Sequence, residues 1–436
     1  MNKYNIVWGL VDSVRKYHSD DDRTRLDFMD EFSEESIEIR NIVTSAPSTV
    51  MSISSMMTSL PAYYLGRNYS DFRFDRDYFV TLSGILNQNS WTTNALIMHP
   101  EIREKLRVFD LLSKKYWPKG FSHRNVWNNS QINELLKNAL HLYGDSAPKP
   151  CFWFLDFNCR EDPNTSDIVK DSFNQLRNAG YDYDNTIFIL CSDHGYPDPR
   201  SGVTPKALAD QNLTHDMFMT DDNITIPFFI RYPGCQEGKK IETTVSTLDI
   251  MPTILDILDI DVDQKTSEIW HGKSLINLIE KDDNKGFEGV KVRTDARFFG
   301  QEGRVTAIRG DKYKYVYYHD QLMEEFFDVS EFNVIEKDIS SIDDSEIQSN
   351  LDEFREVFKL TERQGKEFQT KYALHKIEKQ IKNKNLRKIL VISDEENSFL
   401  ELISSSFNTA FPEANLDLVS TKEGEKIKGI RKKYDF

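Results

Sequence analysis

The pentapeptide Cys191-Ser192-Asp193-His194-Gly195 closes the apolar run Asn185 to Leu190. Asp193 and His194 offer a hard oxygen and an imidazole nitrogen to one cation, the mixed ligation that suits Zn²⁺ or Mn²⁺. A helix-capping Asp in a turn is the plainer alternative. Three further segments carry matching chemistry. Tyr4 to Asp12 is an apolar strand ending in a carboxylate. Pro47-Ser48-Thr49, ahead of an apolar-periodic stretch to Thr58, reads as a helix N-terminus with a hydroxyl beside exposed amides. A hydroxyl placed there, next to a cation, can be deprotonated and attack phosphorus or sulfur. Thr214-His215-Asp216 adds an imidazole just ahead of the run Ile226 to Ile230. Runs rich in β-branched and aromatic residues that end in turn residues read as buried parallel strands, and ligands gather beyond the carboxyl ends of such strands.

In this order the segments resemble the alkaline phosphatase and sulfatase superfamily, over roughly residues 3 to 340. Asp184-Asn185-Thr186 through Gly195 is similar to its "dNT…SDHG" segment, and Ile226 to Gly234 to its "VPliiryPG" strand and turn. Ser246 to Leu255 resembles "s.vDi.PTll", His271 to Leu275 "dGrSL", and the stretches Ala307 to Tyr315 and Glu325 to Val329 the C-terminal strands. The resemblance implies an α/β, alkaline-phosphatase-like three-layer sandwich with a mainly parallel central sheet, plus a small C-terminal antiparallel sheet. Formylglycine sulfatases carry Cys or Ser, then x-Pro-x-Arg. Ser45 fits that pattern only with Thr49 where Arg is needed. An ungapped count back from Thr58 instead puts Thr49 at the nucleophile position, where Thr49 to Ile53 is similar to the "TAxSxP" segment of phosphoethanolamine transferases. The four cysteines, at 151, 159, 191 and 235, lie far from this segment.

The resemblance therefore implies one divalent cation (Zn²⁺ or Mn²⁺ first, Mg²⁺ or Ca²⁺ next) held by Asp12, Thr49, Asp193 and His194. Thr49 becomes a covalent phosphoryl acceptor, and His215 contacts the phosphoryl group or protonates the leaving group. Ser48, Asp156 and Arg160 are expected at the substrate, although Asp156 and Arg160 also read as a surface ion pair. The expected activity is hydrolysis or transfer of a phosphodiester, phosphoglycan or headgroup phosphoester. Sulfuric-ester hydrolysis without formylglycine and a non-catalytic scaffold are the alternatives. The chain departs from the family in carrying Ser13, where many sulfatases have a second carboxylate, and in lacking a "DxxGH" segment for a second metal.

Composition narrows the partners. With 55 Lys and Arg against 71 Asp and Glu, a net charge of −16 argues against nucleic acid as the partner and favours a small-molecule or glycan phosphoester. At 39% hydrophobic residues the chain reads as a folded globular protein. No apolar run reaches the ~18 residues of a membrane span. A strand beginning within five residues of Met1, and cysteines without paired spacing, predict a cytoplasmic location.

Alternating apolar and amphipathic stretches place the catalytic α/β domain at residues 1–285, with a helical insertion at 86–145 that contains a helix from Gln131 to Leu142. An antiparallel subdomain at 286–342 and a helical connector at 343–385 follow. Residues 386–436 read as a β-α-β unit, with strands Lys388 to Ser393 and Ala414 to Val419 around a helix Asn397 to Thr409. It resembles the opening of a Rossmann-like glycosyltransferase domain. A fused or associated glycosyltransferase, and a setting in surface-polysaccharide assembly, are the corresponding expectations.

Overall fold

The computed structural model describes residues 2–16, 26–65, 78–97, 128–143, 150–158, 163–201, 215–297, 304–384, 388–393 and 415–420. The chain divides into two compact units, Met1–Phe354 and Arg355–Phe436. Arg160, and residues 98–127 of the expected insertion, lie outside the described residues.

Eight strands build the central sheet of the first unit: β1 (Asn5–Asp12), β2 (Ile37–Val43), β3 (Thr92–Ile97), β4 (Cys151–Asn158), β5 (Thr186–Cys191), β6 (Thr225–Ile226), β7 (Phe228–Arg231) and β8 (Lys240–Ser246). Their order is β3-β4-β1-β5-β7-β2-β6, with β8 also paired to β2. The run β3-β4-β1-β5 is parallel throughout. Beyond it, β7 is antiparallel to both β5 and β2, and β6 is antiparallel to β2, whereas β8 runs parallel to β2. The sheet is thus mixed and mostly parallel. Its parallel centre is buried on both faces, so β1, β4 and β5 read as near-continuous apolar runs.

Alternation along each strand separates the faces. Val7, Val11, Trp153, Leu155, Phe157, Phe188 and Leu190 pack with α1 (Asp27–Glu35) and with the helices Asn129–Tyr143 and Thr165–Asn178. The middle helix is the one predicted at 131–142. Ile6, Trp8, Leu10 and Asp12 alternate to the opposite face, which meets the start of α2 (Thr49–Thr58).

The expected antiparallel sheet is present as β9 (Val292–Arg297), β10 (Arg304–Arg309), β11 (Tyr313–Tyr318) and β12 (Met323–Asp328), in the order β12-β11-β10-β9. Val305, Val316 and Phe327 on one face join Val43, Met219 and Ile224 in a second core cluster. Buried cations fasten this sheet to the main unit: Arg309 pairs with Asp221 Oδ1 at 3.1 Å and donates to Thr244 Oγ1 at 3.1 Å, and Lys314 Nζ donates to the Met219 carbonyl at 2.7 Å.

The predicted connector is a single helix, Ser345–Lys384. The boundary between the compact units falls within it. Its first turns belong to the first unit, where the Phe354 ring meets Phe326 at 5.4 Å. In the second unit, β13 (Lys388–Ser393) and β14 (Asn415–Ser420) pair in parallel. The helix expected between them lies outside the described residues.

Candidate metal centre

Strand register brings the acidic residues together. Leu10 of β1 lies opposite Asp156 of β4 on one side and Cys191 of β5 on the other. Two residues further on, at the end of β1 and just past the end of β5, Asp12 and Asp193 emerge beside each other on the face toward α2. One ligand atom from each of Asp12, Asp193 and His194 falls within 4.8 Å of the others, and all three residues are buried.

The His194 ring is oriented for ligation. Its Nδ1 lies 2.7 Å from the Gly195 carbonyl, which can only accept, so Nδ1 carries the proton. Nε2 then faces Asp12 Oδ1 at 3.4 Å, Asp193 Oδ2 at 3.5 Å and Thr49 Oγ1 at 3.3 Å. Burial, reinforced by the charges of Asp12 and Asp156, pushes the Asp193 carboxyl up to about 6 against the opposing pull of His194. Burial works against a charged His194, but Asp193, Asp12 and Asp216 outweigh it and hold that imidazole above its ordinary value. Asp193 Oδ2 is buried and has no hydrogen-bond partner among the described residues. Two carboxylates, one of them with an orphaned buried oxygen, and an imidazole nitrogen form a donor set that fits a divalent cation.

Thr49 is the first residue of α2, and its Oγ1 lies 3.4 Å from Asp12 Oδ1. Ser48, the residue before it, takes the extended cap conformation (φ −146°, ψ 138°), but its hydroxyl makes no capping bond. Ser52, one turn on, donates to the Asp193 carbonyl at 2.7 Å and ties the helix to the strand end. Ser45 is elsewhere: it is buried, and its Oγ accepts the Ala62 N–H at 2.8 Å.

His215 opens a short 3₁₀ turn, and its ring stacks on His194 with centroids 4.9 Å apart. Its Nε2 is 2.7 Å from Asp216 Oδ1, and Asn223 Nδ2 holds its carbonyl at 2.9 Å. Asp156 is fully buried, one pleat behind Asp12, and is not one of the three residues whose ligand atoms converge. Asp249 has a structural task. It accepts the Ser246 N–H and the Lys273 N–H, linking β8 to the turn after His271. His271 packs edge-on against Tyr64, and burial lowers its imidazole to about 4.

The sequence reasoning missed Tyr196, whose ring lies 5.1 Å from that of His215. It also missed the bracing by Ser13 and Ser192. An aromatic directly after the Asp-His-Gly turn was the available signal for Tyr196, whereas a left-handed serine leaves no mark in a sequence. Gly195 is required by a close approach: a Cβ there would lie 1.9 Å from the Asp222 carbonyl oxygen.

The sulfatase family model matches residues 163–260. A sulfatase of Formosa agariphila is 30% identical over 153 residues, 35% of this chain and 26% of that protein. An arylsulfatase of Clostridium perfringens is 26% identical over 191 residues, 42% of this chain and 34% of that protein. The chain thus matches between a quarter and a third of the length of these two relatives. A solved 2-O GAG sulfatase shares the fold with a TM-score of 0.64 at 15% identity, over 84% of this chain and 93% of that one. The phosphonate monoester hydrolase of Agrobacterium radiobacter does so with a TM-score of 0.60 at 13% identity, over 83% and 96%. The fold is the alkaline-phosphatase-like one that these solved enzymes share. The sequence match, over part of the chain, is to sulfatases. Among the described residues, no helix is long and apolar enough to cross a membrane.

Proposed function

We propose that this protein is a metal-dependent phosphoester hydrolase or phosphotransferase with Thr49 as its nucleophile. The observation that carries the reading is the place of Thr49 Oγ1, 3.4 Å from Asp12 and 3.3 Å from His194 at the first turn of a helix. A divalent cation, Zn²⁺ or Mn²⁺ by the donor set, would be held by Asp12, Asp193, His194 and Thr49. It would supply positive charge that favours the ionised hydroxyl and offsets charge on the transferring group.

The chain's own residues do the rest. Thr49 Oγ attacks phosphorus in line; the Oγ–P bond forms as the bond to the leaving alkoxide breaks. The Thr49 proton passes to solvent, and the alkoxide takes a proton from His215, whose ring is held by Asp216 and by stacking on His194. Water or a second alcohol then attacks phospho-Thr49 and restores the hydroxyl. The free amides at the start of α2 add dipole stabilisation to the equatorial oxygens. Two cysteines in the sheet are poor nucleophiles, since burial pushes the Cys151 and Cys191 thiols up to about 12.

Sulfuric-ester cleavage by the same threonine is the second reading, favoured by the sulfatase relatives. A glycan phosphoester as substrate, a cytoplasmic setting and a linked glycosyltransferase complete the proposal. Free Cys151, Cys191 and Cys235 support the compartment, and the parallel pair β13-β14 supports the linked domain.

The test is turnover of aryl phosphate monoester, phosphodiester and sulfate by wild type, Thr49→Ser and Thr49→Ala, with each cation in turn. Phosphoester cleavage lost by at least 10³-fold in Thr49→Ala and partly kept in Thr49→Ser is the expected result, on the scale of losing a covalent nucleophile. Preference for the sulfate selects the second reading. Full activity in Thr49→Ala rejects both.

A further inference from the structure

Asp12 and Asp193 come from different strands and repel one another, so their approach has to be imposed by neighbours. Ser13 touches both. Its Oγ donates to Asp12 Oδ1 at 2.9 Å, and its backbone N–H donates to Asp193 Oδ1 at 3.3 Å. It does so from the left-handed region, at φ +64°, and is 1% exposed. A residue with a Cβ is held there only when its surroundings over-determine it, and such strain gathers at functional sites. The adjoining bonds supply that constraint. Val14 N–H donates to Ser192 Oγ at 3.0 Å, and Ser192 Oγ sits 2.7 Å from the Val11 carbonyl and 2.6 Å from the His194 carbonyl, one of which takes its proton. The ends of β1 and β5 are therefore cross-braced by two serines, each the residue just past its strand.

We infer that Ser13 is a positioning residue that sets the cation affinity of the centre by locking the Asp12 and Asp193 carboxylates into one arrangement. The inference rests on the metal reading of the cluster. Its alternative is a plain turn residue that shapes the chain after β1 and leaves the carboxylates unaffected.

Glycine separates the two, because it accepts φ +64° without strain and keeps the N–H while deleting the hydroxyl. The experiment is calorimetric titration of Mn²⁺ and Zn²⁺ into the chelator-treated full chain, as wild type, Ser13→Gly and Ser13→Ala. Thermal unfolding of each in EDTA runs alongside. Ser13→Gly should unfold at or above the wild-type temperature in EDTA yet bind the cation 10–100-fold more weakly, the range for groups that orient metal ligands. Ser13→Ala should show the same loss of affinity with a lower unfolding temperature, since it keeps the strain. Wild-type affinity in Ser13→Gly overturns the inference, and so does an EDTA unfolding temperature well below wild type. A wild-type protein that binds neither cation overturns the metal reading itself, an outcome distinct from equal binding by wild type and variant.

Discussion

Gly195→Ala is the sharpest test of how tightly this centre is built. A Cβ at position 195 would stand 1.9 Å from the Asp222 carbonyl oxygen, 2.9 Å from the Asp222 carbonyl carbon and 3.0 Å from the Asn223 Cα. All three are backbone atoms, so no side chain can rotate aside. Restoring ordinary contact near 3.4 Å requires the two segments to part by about 1.5 Å. That breaks the bond from Gly195 N–H to the Asn223 carbonyl, now 2.9 Å long, at about 1 kcal/mol. Overpacking adds about 1–3 kcal/mol. The sum, about 2–4 kcal/mol, corresponds to a fall of about 3–5 °C in Tm for a unit of this size, at about 2.1 cal/mol/K of unfolding entropy per residue. Function should suffer more than stability. The residue before Gly195 is His194, the proposed ligand, and Asn223 fixes the His215 carbonyl, so both imidazoles move. Urea unfolding measures the first effect, and cation titration with turnover measures the second. A variant within 0.5 kcal/mol of wild type that binds the cation with unchanged affinity would refute the close-approach reasoning.

Other substitutions probe separate parts. Ser45→Ala leaves the buried Ala62 N–H without its acceptor and should cost about 1–3 kcal/mol in urea unfolding, while turnover per folded molecule stays at wild type. Stable but inactive Ser45→Ala would move the nucleophile to Ser45. Arg309→Met strands the Asp221 carboxylate in the core and should cost about 3–5 kcal/mol; combining it with Asp221→Leu should recover most of that, as a double-mutant cycle would read. Asp222 carries the pH prediction. Burial raises its carboxyl to about 6 from an ordinary 3.8, so the folded state binds the proton more tightly than the unfolded state does. Its ionisation costs nothing below about pH 4, grows between 4 and 6, and reaches about 3 kcal/mol above 6. Asp222→Asn keeps an acceptor for the Asp198 N–H and should be more stable than wild type at pH 7.5, by up to that amount. The gain should vanish by pH 4 in urea melts across the range, and a pH-independent difference would contradict the assignment.

Much of the molecule follows from short-range pattern. Apolar runs ending in Asp12 and in Cys191-Ser192-Asp193-His194 announce buried parallel strands, because only a sheet covered on both faces tolerates such runs. The order of the later segments carries the antiparallel sheet at 292–328 as well. The helix at 129–143 and the long helix from Ser345 are legible in their periodicity. Tertiary structure alone decided the rest. Ser45 and Thr49 both flank Pro47 and carry equivalent hydroxyls; the path of the chain into α2 turns one toward Ala62 and the other toward Asp12. The closeness of Asp12 to Asp193, and Asp156 one pleat behind, depends on parallel register between strands 146 and 181 residues apart at Leu10. The left-handed backbone at Ser13 answers to contacts from β5, and local sequence does not encode a φ value that distant neighbours impose. Residue types and their order determined which chemistry this protein carries. Register and packing decided which atoms meet, because those distances are set by contacts between segments far apart in the chain.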